Sequence, residues 1–146
     1  MEASQDFIMF LQSTLTPVAL ISGVGLLLLT ITNRLGRTID RTRYLVAELD
    51  NPNAQRQKEK EYEIAILYKR STYLRNSIAF IVISVIASSL IIPVLFFMNL
   101  FEMDLKIIGY FLFILSILSI LVSSIFFFMD VVVSLNALKL EAKERL

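Results

Sequence analysis

Eight residues on one face of the first apolar segment have the composition of either a pore wall or a helix-packing face. Steps of three and four residues place them together on an α-helix: Gln12, Thr16, Ala19, Gly23, Leu26, Thr30, Asn33 and Arg37. All of them except Leu26 are small or polar. Such a polar stripe either packs against another helix or lines a pore in a ring of identical subunits, where Leu26 is the one apolar constriction.

A carboxylate at the end of the third apolar segment is the second candidate. Arg34 ends the first segment, Arg75 begins the second and Asp130 ends the third, so we expect all three at one membrane level. A partly desolvated carboxylate is costly unless it is paired. We predict an ion pair of Asp130 with Arg34, Arg37 or Arg75. Arg75 is the first choice, because consecutive antiparallel segments are usually neighbours. A structural ion pair is favoured over a role in transport.

Composition argues against an enzyme. The chain has no Cys and no His, so it lacks thiolate chemistry and the commonest base and metal ligand at neutral pH. The apolar segments contain no ionisable residue of the kind that an intramembrane active site needs. Gly23 and Gly25 lie inside such a segment and have no phosphate-binding context. We expect no catalytic site, metal or cofactor.

The class indicated by composition is an all-α integral membrane protein. Hydrophobic residues make up 56% of the 146 residues, more than a soluble domain needs. Apolar runs of about 20 residues predict transmembrane helices. We predict one membrane domain, 1–146, with these segments: an outer N-terminal segment 1–12, span 1 at 13–33, a cytoplasmic helical hairpin 34–76 with its turn at 50–53, span 2 at 77–101, an outer turn 102–106, span 3 at 107–130 and a cytoplasmic tail 131–146.

Most of the basic residues lie between the first two spans. A basic loop stays in the cytoplasm, which predicts an outer N-terminus and a cytoplasmic C-terminus. We expect Arg34, Arg37 and Arg75 to contact anionic lipid headgroups. Nucleic-acid binding is not expected, because Glu and Asp interrupt the basic run and aromatic residues are few.

The loop between spans 1 and 2 has the pattern of two antiparallel helices. One face of the first arm carries Leu28, Thr32, Leu35, Ile39, Thr42, Val46 and Leu49, and one face of the second carries Lys60, Ile64, Leu67, Ser71, Leu74, Ile78 and Ile81. Folding back at the turn places Arg41 and Arg43 opposite Glu59, Glu61 and Glu63. Within the hairpin, Thr42, Lys60 and Ser71 interrupt this pattern, so the hairpin needs neighbours for stability.

Two prolines and five serines mark features inside the spans. Thr16 and Pro17 have the types of an N-cap and a first helical residue. Pro93 predicts a kink, with Ser88 and Ser89 near the carbonyl that it frees. The serines of the third span, more typical of packing and hydrogen bonds between helices than of a proton relay, are Ser116, Ser119 and Ser123.

The first helix resembles a known family. Leu15-Thr16-Pro17, the run from Leu20 to Leu29, and Thr32-Asn33-Arg34-Leu35-Gly36-Arg37 with Asp40-Arg41 are similar to a bacterial domain-of-unknown-function family of small three-span inner-membrane proteins. The resemblance covers nearly the whole chain. It implies a location in the bacterial inner (cytoplasmic) membrane, and it supplies no catalytic residues.

Two functional hypotheses follow. The first is a homo-oligomeric ion channel lined by the first helix, for which the polar stripe is the argument. The second is a non-conducting scaffold or adaptor whose basic cytoplasmic hairpin binds a protein partner or anionic lipid. The imperfect pattern of the hairpin favours this alternative.

Overall fold

Three long helices account for the residues that the computed structural model describes, 2–49, 54–101 and 104–145. Helix α1 is Glu2–Glu48, α2 is Ala54–Phe101 and α3 is Lys106–Arg145. The all-α prediction is confirmed for these residues. The predicted turn at 50–53 and the first two residues of the predicted outer turn, 102–103, lie outside them.

Each helix is apolar and long enough to cross a membrane. The helices contain 47, 48 and 40 residues, whereas one crossing needs about 20. The chain is therefore a multi-pass membrane protein whose helices are far longer than a crossing requires. Helical structure runs through Asn33 and Arg34 in α1 and through Asn76 in α2, so the two predicted hairpin arms continue the spans without a break.

Pro17 lies inside α1, so its interpretation as the first helical residue is wrong. Its ring lies on the buried face of a helix that began at Glu2. Proline removes the N–H that would bond the carbonyl four residues earlier, a loss that membrane helices tolerate. The hydroxyls of Ser13 and Thr14, just before it, donate to the carbonyls of Phe10 and Leu11 at 2.7 and 2.8 Å. Capping preferences alone did not reveal this, because they treat proline as a helix start.

Pro93 lies inside α2, which continues to Phe101. Ser88 does not turn back toward the carbonyl that this proline frees. Its hydroxyl is 2.7 Å from that of Ser116 on α3. The serine that the sequence assigned to local repair of the helix therefore bonds to a neighbouring helix.

Buried positions recur in steps of seven in α1 and mostly in steps of three, four or seven in α2 and α3, the heptad period at which coiled coils pack. In α1 one residue in every seven is buried: Pro17, Val24, Ile31, Thr38 and Leu45. The face predicted for the first arm is therefore displaced. Leu28, Leu35, Thr42 and Leu49 are half-buried, as expected at its flank, but Thr32, Ile39 and Val46 are exposed. Apolar residues lie on both sides of these half-buried residues around the helix. The sequence pattern alone therefore did not show which of the two sides faces the interior.

The second arm follows its predicted face more closely. Leu67, Leu74 and Ile81 are buried, and the polar members Lys60 and Ser71 are half-buried. Ile64 and Ile78, one helical turn away from the buried leucines, are half-buried as well. This arm was easier to predict because its leucines recur at heptad spacing.

The chain forms two compact units, each with segments of all three helices. Unit 1 consists of Met1–Leu28 and Ala79–Val122, and unit 2 of Leu29–Ile78 and Ser123–Leu146. The buried residues of unit 1 include Val24, Ile81, Ala87 and Ile91, with four serines at 84, 88, 116 and 119. Those of unit 2 include Ile31, Leu45, Leu67 and Leu74, with Ser77, Ser123 and Asp130. Both units therefore bury polar groups among apolar side chains.

Candidate functional site

Asp130 is fully buried in unit 2 and binds two arginines. Nη2 of Arg34 donates to its Oδ2 at 2.8 Å, and Nε of Arg70 donates to its Oδ1 at 2.9 Å. A buried carboxylate is tolerated only when opposite charges and hydrogen bonds compensate for its desolvation. Here each oxygen accepts a charge-assisted hydrogen bond from a different helix, so Asp130 links α1 and α2 to α3.

The partners of Asp130 differ in part from the prediction. Arg34, one of the three arginines named as candidates, contacts Asp130, and the second partner is Arg70 rather than Arg75. Arg75 and Arg37 are exposed. Arg70 lies seven residues before the buried Ser77 and so on the same face of α2. Arg75 lies only two residues before Ser77, which rotates its side chain by about 200°. The candidate arginines were chosen only because they lie at the same membrane level as Asp130. The face of the helix on which an arginine lies determines whether it contacts Asp130.

The three charges form a cluster with one excess positive charge, named here the Arg34–Asp130–Arg70 cluster. The arginine side chains are 26% and 19% exposed, whereas the aspartate side chain is 0% exposed. The guanidinium of Arg34 also lies over the ring of Phe127, at 5.1 Å from the centroid, a cation–π distance. The arginines thus bind Asp130 on one side and still reach the surface.

A serine pair joins α2 to α3 one heptad from this cluster. The hydroxyls of Ser77 and Ser123 are 2.7 Å apart. The hydroxyl of Ser77 is also 2.9 Å from the carbonyl oxygen of Ser123, and that of Ser123 is 2.8 Å from the carbonyl oxygen of Ser77. Small side chains let helix backbones approach closely enough for such contacts. The pair holds the two helices together without a charge.

A second serine group lies in unit 1. The hydroxyl of Ser116 is 2.8 Å from that of Ser84 and 2.7 Å from that of Ser88, and it is 3.2 Å from the carbonyl oxygen of Ser84. All three serines are buried. These contacts are hydrogen bonds between helices, the role that the sequence favoured over a proton relay.

One spacing relates the charged and hydroxyl contacts of the two helices. Arg70, Ser77 and Ser84 follow each other at seven-residue steps in α2, and Asp130, Ser123 and Ser116 do so in reverse along α3. Antiparallel helices packed at heptad period bring such positions together in this order. This spacing was present in the sequence and was the signal that could have identified Arg70.

The eight residues of the polar stripe are all exposed: Gln12, Thr16, Ala19, Gly23, Leu26, Thr30, Asn33 and Arg37. A Cβ built on Gly23 meets no other atom within 4 Å. The stripe is therefore an exposed face of α1 in the single chain, and one of its members, Thr16, also lines a cavity of unit 1. The predicted headgroup contacts Arg37 and Arg75 are exposed too, whereas Arg34 binds Asp130.

The predicted charge pairing of the two arms is present in part. Nη2 of Arg41 lies 2.9 Å from Oε1 of Glu63, the last of the three glutamates expected opposite it. Lys60 lies 3.1 Å from Oε2 of Glu48 and donates to that residue's carbonyl oxygen at 3.1 Å. The lysine therefore also bonds one of the carbonyls left over at the end of α1.

Comparison with known proteins places the chain in a family. The model of a family described as Protein of unknown function (DUF2721) matches residues 14–140. The chain belongs to this family. The resemblance that the first helix indicated is thereby confirmed at the level of an uncharacterised family. No curated protein and no solved structure matches the chain.

The match to the DUF2721 family includes the polar residues described above. Residues 14–140 contain the Arg34–Asp130–Arg70 cluster, the serine contacts of both units and all of the polar stripe except Gln12. The family description states no activity, so a function has to be argued from these contacts and exposed faces.

Proposed function

We propose that this protein is a homo-oligomeric ion channel of the bacterial inner membrane, with α1 beside the axis of a ring of identical subunits. The observation that supports this proposal is the exposure of all eight residues of the polar stripe. Polar groups that face hydrocarbon are costly. The same face of a neighbouring subunit, or water in a pore, is the environment that suits them.

The interior of the single chain supports the same assignment. Among the residues whose side chains the structure describes, every buried side-chain nitrogen or oxygen has a hydrogen-bond partner. The hydroxyls of α2 and α3 bond to each other, and Asp130 binds its two arginines. Ions need polar groups along their path. The exposed stripe on α1 offers such groups between subunits.

The orientation that we propose has the N-terminus outside and the C-terminus in the cytoplasm, because the basic residues concentrate in the 34–76 segment. Exposed Arg37 and Arg75 then contact anionic headgroups of the inner leaflet. The proposal assigns no catalytic step, metal or cofactor to the chain.

Two glycines give the channel a matched test. Gly23 is in the stripe and Gly25 is not, and a Cβ at either one meets nothing within 4 Å. Since the chain has no cysteine, Gly23→Cys and Gly25→Cys each introduce a single thiol. We expect a charged thiol reagent to change single-channel current in bilayers for Gly23→Cys only. A monomer by mass measurement in nanodiscs, no current, or equal effects at both positions would contradict the channel.

The alternative is a non-conducting scaffold, and exposed aromatic side chains of unit 2 favour it. Tyr44, Tyr62 and Tyr68 are 56%, 57% and 73% exposed, and exposed tyrosine with arginine is typical of protein-binding surfaces. A cytoplasmic protein partner would bind exposed side chains of the 34–76 segment such as these. A ring that assembles normally but carries no current in bilayers would favour the scaffold over the channel.

A further inference from the structure

We propose that a cavity in unit 1 binds one acyl chain of an anionic phospholipid, with Lys106 at the headgroup. The cavity has a volume of about 280 Å³ and is lined by segments of all three helices. That volume is near the lower end of small-molecule sites. A helix is about 10–12 Å wide, so the space suits a flexible chain rather than a helix of a second copy.

One end of the cavity is polar and the other is apolar, as the headgroup and the acyl chain of a lipid are. Ser13 precedes Leu20 along α1, and Lys106 precedes Phe113 along α3. The antiparallel α2 contributes Ile91 at the apolar end. Lys106 begins both α3 and its membrane-spanning stretch, so the polar end lies at a membrane surface. The helix rises about 10 Å from there to Phe113, the direction in which an acyl chain leaves its headgroup.

Lys106 has the charge and the spare donors for a phosphate. Its Nζ lies 3.7 Å from Oδ1 of Asp104, and the two side chains are 66% and 75% exposed. An exposed pair at this distance holds its members weakly. The ammonium has three N–H donors, so an anionic headgroup is able to bind it beside Asp104 or in its place.

Gly109 contributes open volume to the cavity. A Cβ built there meets no atom closer than Cγ1 of Val94, at 4.0 Å, which is ordinary van der Waals contact. A Cβ therefore fits at this position, and we expect a larger side chain to extend into the space of the cavity that Gly109 lines. Gly109→Leu is thus a variant that removes room for an acyl chain while leaving the fold in place.

The absence of tryptophan from the chain permits a direct measurement of the bound lipid. Phe113→Trp places a single fluorophore at the apolar end of the cavity. The full chain is reconstituted in nanodiscs that contain a minor fraction of lipid with brominated acyl chains, either phosphatidylglycerol or phosphatidylcholine. We expect about fivefold tighter apparent binding of the anionic lipid, the preference that one lysine near a headgroup gives.

Three variants in the Phe113→Trp background identify the source of this quenching. Lys106→Gln is expected to make the two lipids equal, and Gly109→Leu to reduce quenching by both. Gly25→Leu, a helical glycine with open space and no place in the cavity, is expected to change neither. A separate chain with Leu118→Trp, on the exposed face of α3, should report bulk lipid with no headgroup preference.

The outcomes are distinct. Equal quenching of Phe113→Trp by both lipids would overturn the role of Lys106, and quenching that Gly109→Leu leaves unchanged would overturn occupation of the cavity. No quenching by either lipid would show that a second copy or another residue covers the site. The readout is lipid contact and not current, so it is independent of whether the protein conducts.

Discussion

Arg70 donates a hydrogen bond to Asp130 at 2.9 Å, five residues before the arginine that the sequence favoured for this contact. Asp130 is fully buried and has Arg34 on its other oxygen. One carboxylate therefore connects three helical segments of unit 2. Its removal leaves both guanidinium groups without their counter-charge.

We therefore expect Asp130→Asn to destabilise the protein more than the loss of either arginine. A hydrogen bond to a charged group contributes about 1.5–3 kcal/mol, and here two cations lose their counter-charge, whereas either arginine substitution removes one bond. The free energy of unfolding from thermal melting in detergent measures this effect. A loss smaller than that of Arg34→Ala would contradict the central position of the carboxylate.

A double-mutant cycle separates the observed partner from the expected one. Residues in direct contact couple by about 0.5–3 kcal/mol, whereas distant residues add within about 0.5 kcal/mol. We expect coupling of Asp130→Ala with Arg70→Ala, and additivity with Arg75→Ala as the matched control. The cycle is measured on the same melting transition. Coupling to Arg75 and not to Arg70 would contradict the contact of Arg70 with Asp130.

The sequence predicted the class of fold but not the helix faces that place these charges. The spans and their helical continuation followed from apolar runs and basic composition. The face of α1 was displaced because exposed Ile39 and Val46 are as apolar as its buried residues. Exposing an apolar side chain to lipid or to a partner surface has no free-energy cost. Hydrophobicity alone therefore does not show which face of a helix is buried within the chain.

Arg70 was missed for a related reason. Charged residues near a membrane boundary were compared by level along the bilayer, and Arg75 fits that criterion better. The serines gave the missing information, because Ser77 and Ser84 mark the face of α2 that meets Ser123 and Ser116 on α3. In a span where nearly every residue is apolar, the few small polar residues identify the packed face.

The serine contacts predict modest and specific losses of stability. Ser123→Ala removes hydrogen bonds to both the hydroxyl and the carbonyl of Ser77. Hydrogen bonds between membrane helices contribute about 0.6 kcal/mol on average and at most about 1.7, so we expect a loss of about 1 kcal/mol. Ser22→Ala is the control, since that exposed hydroxyl bonds only within α1 in the contacts described, to the carbonyl of Val18. Equal losses would mean that the bonds between helices contribute nothing specific.

The ion pair of Arg41 with Glu63 is expected to matter far less than that of Asp130. Its side chains are 51% and 33% exposed, and exposed pairs contribute about 0–1 kcal/mol, with screening by salt. We expect Glu63→Gln to lower the melting temperature slightly at low ionic strength and not at all at high salt. A loss that persists in high salt would show that neighbouring subunits or lipids bury this pair.

Gly23→Leu tests assembly directly, because the single chain gives this substitution no reason to disturb the fold. A Cβ at Gly23 meets nothing within 4 Å, and the same holds at Gly25. If the stripe faces the axis of a ring, a leucine at position 23 removes the close approach that glycine permits. We expect Gly23→Leu to shift the mass in nanodiscs toward monomer, with the helical content of the chain unchanged.

Gly25→Leu, outside the stripe, is expected to keep the mass of the wild-type assembly. Since both variants add the same apolar volume to the same helix, the difference between them reports which face of α1 contacts another copy. A normal assembly for Gly23→Leu would show that this face contacts lipid.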